Sequence, residues 1–231
     1  MAAVVVLPGL DGTTALLQEF CECLSGLGVA TKAVAYPPDQ AFGYEQLEPL
    51  VRAQLPSEPF VLLGESFSGP LAVRIAAAPP PNLLGLVLST TFARAPVTGL
   101  SAFAPFVRFA PARPPMLLLS WALLGPWATL RLRSQLSKAL AAVSPAVLRA
   151  RAAATLRVDV ATLLPSVRLP VLQLVASNDR LLAGSAASAL ASGLGHCRTV
   201  TVPGPHLLLQ AATQKCAQEI AEFALGLGPN D

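Results

Sequence analysis

Histidine is scarce in this chain. His196 and His206 are the only two in 231 residues, so chemistry that needs an imidazole base has two candidates, and a histidine-rich metal cluster is excluded. Cysteine is also thin. Cys21, Cys23, Cys197 and Cys216 form no Cys-x-x-Cys pair, so neither a zinc site nor a disulfide framework is expected. They read as reduced thiols of a cytoplasmic protein. No glycine-rich phosphate loop is present, because Gly9-x-x-Gly12 is too short and lacks the lysine. No metal and no cofactor are therefore expected. No basic stretch precedes the opening apolar run, which Pro8-Gly9 interrupts, so no secretory signal is read. Pro114–Leu130 is uncharged over 17 residues, but Pro114, Pro115 and Pro126 break it. It is too short and too interrupted for a membrane span.

Against these absences stands an unusually apolar composition: 53% hydrophobic and only 13% charged. Parallel strands buried on both faces produce continuous apolar runs of this kind. Such runs predict strands near 3–8, 30–35, 60–64, 83–89, 170–176 and 197–202. Helices are expected at about 14–26, 43–55, 68–78, 183–193 and 207–227. This alternation is an α/β pattern with a mostly parallel sheet of about six strands flanked by helices.

One segment carries chemistry. Phe60-Val-Leu-Leu reads as a buried strand, Gly64 opens a sharp turn, and Ser66 stands at its tip. Pro70-Leu-Ala-Val-Arg-Ile-Ala-Ala77 then reads as a helix. A strand, a tight turn with one serine and a helix make a nucleophile elbow, which lifts the hydroxyl clear of the sheet. The pattern departs from G-x-S-x-G in its last place, where Ser68 stands and the glycine follows at Gly69. A serine nucleophile needs a base and the base an orienting carboxylate. His206 lies on the loop leaving the strand Cys197–Val202, whereas His196 precedes that strand and belongs at the opposite edge of the sheet. Asp179 follows the apolar strand that starts at Pro170; an Asx turn is the alternative reading of Asn178-Asp179-Arg180. Ser66, Asp179 and His206 thus each follow a strand's C-terminal end, the edge where ligands bind in such sheets.

The order Ser…Asp…His, with Leu7-Pro-Gly-Leu-Asp-Gly12 and Gly64-Glu-Ser-Phe-Ser-Gly69, resembles that of the α/β-hydrolases. Within them the two motifs are similar to those of small bacterial serine hydrolases. They are more distantly similar to the esterase/lipase/thioesterase-like part of plant phytyl ester synthases. The resemblance implies an α/β-hydrolase core over 1–89 and 170–231, with a helical lid over 90–169 inserted before the strand that carries the acid. It implies hydrolysis of carboxylic esters through an acyl-enzyme. Acyl transfer to an alcohol and thioester hydrolysis are alternatives, and a non-catalytic binding protein is a third. It also implies an oxyanion hole from the backbone N–H groups of Phe67 and Leu10, the latter where the loop commonly reads His-Gly-X. Asp11 beside that loop reads as a brace for the turn, or as a substrate contact.

The insertion has its own character. Between Thr90 and Leu169 stand ten basic residues and one acid, Asp159, a net of +9. The chain as a whole is +3, which leaves −6 for the rest. A basic, apolar lid points to an acidic partner such as an anionic lipid surface or an acidic carrier protein, with peripheral membrane attachment as the corollary. Nucleic acid is not expected, since the charge is not interleaved with aromatics. Phe103, Phe106 and Trp121 are the candidate lining of an acyl pocket, and Pro114–Leu130 the candidate lid helix over it.

Overall fold

The computed structural model describes residues 2–95 and 115–227. The apolar runs form six strands: β1 (Ala3–Leu7), β2 (Thr31–Ala33), β3 (Phe60–Glu65), β4 (Leu83–Ser89), β5 (Val171–Ala176) and β6 (Cys197–Val202). They make one sheet in the order β2-β1-β3-β4-β5-β6, parallel at every junction. Every residue of β3 is buried, as a central parallel strand requires.

Alternation along each strand feeds two cores. Val5, Leu7, Phe60, Leu62, Leu86 and Leu88 face α2 (Tyr44–Arg52), α3 (Gly69–Ala77) and α7 (Gly184–Gly193). Val4, Val6, Val61, Leu63 and Val87 face α1 (Gln18–Gly26) and α9 (Thr213–Gly226). Cys216 is buried in this second core, and all four cysteines are free thiols. The chain runs from β1 outward to β2 and then returns to place β3 on the other side of β1. This reversal is the switch point at which open α/β sheets form their crevice.

The periodicity over 207–227 predicts one helix, and the chain makes two. A short α8 (Leu208–Ala211) is separated from α9 by Ala212 in a non-helical conformation. Thr213 Oγ1 donates to the carbonyls of Leu209 and Gln210. It thereby satisfies end groups that a continuous helix would have bonded itself.

Between β4 and β5 lie α4 (Met116–Leu123), α5 (Leu130–Ala141) and α6 (Pro145–Thr155). Ser144 caps α6, accepting from Val147 N, with Pro145 in its first turn. The expected lid helix over Pro114–Leu130 is corrected. Its helical part stops at Leu123, and a 3₁₀ turn, Gly125–Trp127, follows with Gly125 at φ +51°. Leu124, Leu136 and Ala139 of the insertion pack on Leu16 and Leu207 of the core. Val143, Val147 and Leu148 pack against Leu10. The insertion therefore rests on the loops that follow β1 and β6. No helix among the described residues is long and apolar enough to cross a membrane.

Candidate active site

Ser66 opens a 3₁₀ turn, Ser66–Ser68, that joins β3 to α3. Its φ is +48°, a left-handed conformation that costs a non-glycine residue on the order of 1 kcal/mol or more. The turn holds because its surroundings over-determine it. Thr91 Oγ1 donates to the Ser66 carbonyl at 2.5 Å. Gly69 passes so close to Thr91 that a Cβ there would lie 1.9 Å from its hydroxyl oxygen.

Ser66 Oγ lies 2.7 Å from His206 Nε2, and His206 Nδ1 lies 2.8 Å from Asp179 Oδ2. The three come from the ends of β3, β6 and β5, and His206 is only 3% exposed. The two readings of Asp179 divide between its oxygens. Oδ1 accepts from the backbone N–H groups of Leu181 and Leu182 at 2.8 and 2.9 Å, while Oδ2 faces the imidazole. Burial alone would raise this carboxyl. The hydrogen bonds from His206 and the two backbone groups outweigh it and hold the pKa below its ordinary value. His196 is exposed at the opposite edge of the sheet.

A cavity of about 330 Å³ opens on Ser66 and His206. Its walls are largely leucine, from the core at Leu16 and Leu207, from the insertion at Leu119, Leu123, Leu136 and Leu140, and from the acid loop at Leu181 and Leu182. Leu10 and Phe67, the two expected oxyanion donors, both line it. The Leu10 N–H meets no acceptor among the described residues. Phe67 stands in the first turn of its 3₁₀ helix, where N–H groups have no partner within the helix. Asp11 braces its turn, with Oδ2 accepting from Thr13 N and Oγ1, and it also borders the cavity.

Trp121 does not line this cavity. It is 58% exposed, with the Arg180 guanidinium 4.8 Å above its ring. Leu119 and Leu123, one helical turn apart, occupy the inner face of α4, and Trp121 between them points the other way. Phe103 and Phe106 lie outside the described residues. The basic insertion also needs a correction at Arg151, which is fully buried and belongs to no surface. Arg94 pairs with Asp159 and Arg131 with Glu19.

Four residues near the nucleophile were not singled out as parts of a site. Ser68, the departure from the motif, is fully buried. Its hydroxyl donates to the Pro8 carbonyl and lies 2.6 Å from Tyr36 Oη. Glu65, buried beside Ser66, accepts from Gln210 Nε2 at 3.0 Å. A carboxylate ending a wholly apolar strand was the one signal in the sequence. Burial, with a smaller contribution from Asp11, pushes the Glu65 carboxyl up to about 7.

That shift has a testable sign. The folded chain holds the Glu65 proton more tightly than the unfolded chain, whose value is near 4.5. The side chain is therefore harmless to folding below about pH 4.5 and costs on the order of 3 kcal/mol above pH 7. Glu65→Gln removes the charge and brings an amide N–H toward Gln210 Oε1, a buried acceptor with no partner among the described residues. The variant should match the parent in thermal stability at pH 4.5 and exceed it increasingly up to pH 8. A constant difference across that range would refute the buried-charge account.

No protein-family model and no curated relative matches the chain. Solved structures do. An esterase from Exiguobacterium antarcticum superposes with a TM-score of 0.82 at 14% identity, over 96% of this chain and 91% of that one. The enol-lactonase of Burkholderia xenovorans LB400 gives 0.81 at 16% identity, over 96% and 91%. A thermophilic esterase from Thermogutta terrifontis gives 0.81 at 19%, over 98% and 90%. The chain has the α/β-hydrolase fold. At these identities the likeness speaks for the fold alone, and the chemistry must be argued from the side chains.

Proposed function

We propose that this α/β-hydrolase-fold chain is a serine hydrolase that cleaves carboxylic esters with an apolar acyl group through an acyl-enzyme. The observation that carries the reading is the Ser66–His206–Asp179 relay, with links of 2.7 and 2.8 Å at the mouth of an apolar cavity. Ser66 Oγ attacks the ester carbonyl and passes its proton to His206 Nε2, while Asp179 holds the Nδ1–H and stabilises the imidazolium. The N–H groups of Leu10 and Phe67 receive the carbonyl oxygen as it gains charge; one such donor is worth about 3 kcal/mol of transition-state stabilisation. Collapse expels the alcohol, which takes the proton from His206. A water, deprotonated by His206, then attacks the acyl-enzyme and releases the acid. The insertion acts as the lid of this site, its leucines forming the acyl wall.

A small neutral ester is the partner we carry forward. Among the described residues the cavity wall is mostly leucine, with the carboxyls of Asp11 and Glu65 at its border, which suits an uncharged apolar acyl group. Within the basic insertion Arg151 is buried, Arg94 pairs with Asp159 and Arg131 with Glu19; an acidic carrier or anionic lipid surface would have to be met by the other basic residues.

The test is a ladder of p-nitrophenyl esters from acetate to palmitate, with mass analysis of Ser66 after a fluorophosphonate. kcat/KM should climb about fourfold per methylene while the chain still finds apolar wall. It should peak between butyrate and octanoate, since about 330 Å³ is at the small end for ligand cavities. A flat ladder, or a label on any residue but Ser66, would overturn the reading.

A further inference from the structure

The geometry points to Arg151 as a positioning residue for the oxyanion hole, held by the insertion and acting on the loop that follows β1. The inference rests on the hydrolase reading above and gives a role to a side chain that the mechanism so far leaves idle.

Arg151 stands on α6 and is 0% exposed. A buried guanidinium is rare unless its N–H groups are well used, and this one makes no ion pair with a carboxylate among the described residues. It serves backbone carbonyls instead. Nη1 donates to Leu10 O at 3.2 Å and Asp11 O at 2.7 Å, and Nη2 donates to Pro37 O at 2.9 Å. Its plane lies 5.5 Å from the Tyr36 ring. Gly12 makes the seat, with φ +69° and a position where a Cβ would come within 2.2 Å of Nη1. Tyr36 N in turn donates to Gly12 O at 2.8 Å.

The consequence falls on the Leu10 N–H. Arg151 pins the carbonyls of the Leu10–Asp11 and Asp11–Gly12 peptides, Ser68 pins the Pro8 carbonyl, and Gly12 N donates to Gly9 O, the carbonyl of the Gly9–Leu10 peptide that carries the Leu10 N–H. Within this tightly bonded turn the Leu10 N–H meets no acceptor among the described residues, beside the cavity that opens on Ser66. A donor fixed before the substrate arrives costs no reorganisation when charge develops, and that is the source of its catalytic value. Without the guanidinium, the Leu10–Asp11 and Asp11–Gly12 peptides lose their hold, and the Gly9–Leu10 peptide, tied through Gly9 O to Gly12 N at 3.0 Å, can swing with them and turn the Leu10 N–H away. An insertion that closes the acyl pocket would then also set the oxyanion loop, through one side chain.

The test compares Arg151→Met, which keeps the aliphatic volume, and Arg151→Lys, which keeps a donor, against the parent. Each is assayed on p-nitrophenyl hexanoate and titrated with a hexyl trifluoromethyl ketone. Ser66 Oγ adds to the ketone carbon, its proton passes to His206, and the carbonyl electron pair stays on the oxygen as an oxyanion in the same hole. Arg151→Met should lose about 30- to 300-fold in kcat with KM within about threefold, somewhat less than the roughly 10²–10³-fold found when an oxyanion donor is removed outright. The ketone's Ki should rise by the same factor as kcat/KM falls, and Arg151→Lys should recover part of both. A merely structural role would lower the fraction of competent enzyme and leave Ki unchanged; that result overturns the proposal, as does an unchanged kcat. If Arg151→Met fails to fold, the ratio of Ki to KM in Arg151→Lys decides alone: a rise supports the proposal and a constant ratio ends it. Absence of turnover and of ketone binding in the parent would instead remove the hydrolase reading itself.

Discussion

Ser66→Ala will reduce ester turnover by about 10⁶-fold, leaving only the small acceleration that binding and the oxyanion hole supply over the uncatalysed rate, in a protein that remains folded. The nucleophile supplies the covalent route, and no other hydroxyl takes its place. Ser68, two residues on, is buried and bonded to Pro8 and Tyr36. Thr91 is bonded to the Ser66 carbonyl. The fold survives because the Ser66 hydroxyl has one partner among the described residues, His206 Nε2, which still holds Asp179 through its other nitrogen. The backbone supplies an independent check. At φ +48° both serine and alanine are strained, whereas glycine is not. Ser66→Gly should therefore be equally inactive but more stable than Ser66→Ala, by about 1 kcal/mol. Both are read by kcat on a p-nitrophenyl ester beside a thermal or denaturant unfolding curve. Turnover within a hundredfold of the parent would remove Ser66 from the mechanism. A Ser66→Gly protein less stable than Ser66→Ala would remove the strain argument.

What could be read in the sequence, and what could not, divides by the distance over which a residue acts. The central strands were legible because a parallel strand buried on both faces must be apolar throughout, as Phe60–Leu63 and Val4–Leu7 are, whereas the edge strand Cys197–Val202 showed only alternation. Ser66, Asp179 and His206 could be picked out because each follows the end of one of these strands. The parallel order then brings those ends to one edge with no further information. Arg151 gave no signal. It sits among alanines on a helix, and its meaning lies in carbonyls 140 and 141 residues earlier. Charge counting put it on the surface for the same reason. Ser68 looked like a tolerated substitution, because only the fold brings Tyr36 and Pro8 to its hydroxyl. Periodicity over 207–227 reports which residues are buried and is blind to a backbone that breaks at Ala212 and resumes. Trp121 was misplaced because an aromatic in an apolar run says nothing about which side of the helix meets the cavity.

Asp179→Asn carries the second large effect, about 10⁴-fold in kcat, and the structure gives its direction. Oδ1 of Asp179 is committed to the N–H groups of Leu181 and Leu182. In the asparagine variant the carbonyl oxygen must take that place, because the amide NH₂ cannot accept. The NH₂ group then occupies the position of Oδ2, 2.8 Å from His206 Nδ1, and presents a donor where the imidazole needs an acceptor. The imidazole responds by placing its proton on Nε2, which turns the nitrogen facing Ser66 Oγ from a base into a donor. Substrate binding is untouched, since the cavity walls are unchanged. The loss should therefore appear in kcat, with KM within about threefold of the parent. Asp179→Ala provides the contrast, since it frees the tautomer but also leaves two backbone N–H groups and the imidazole without their acceptor. It should lose stability relative to Asp179→Asn, by about 1–3 kcal/mol for the buried groups left unpaired. Steady-state kinetics, unfolding curves and nitrogen-15 imidazole spectra of the parent and the two variants decide the matter. An Asp179→Asn protein within tenfold of the parent kcat, or one whose His206 keeps its proton on Nδ1, would leave the carboxylate with a purely structural role in its loop.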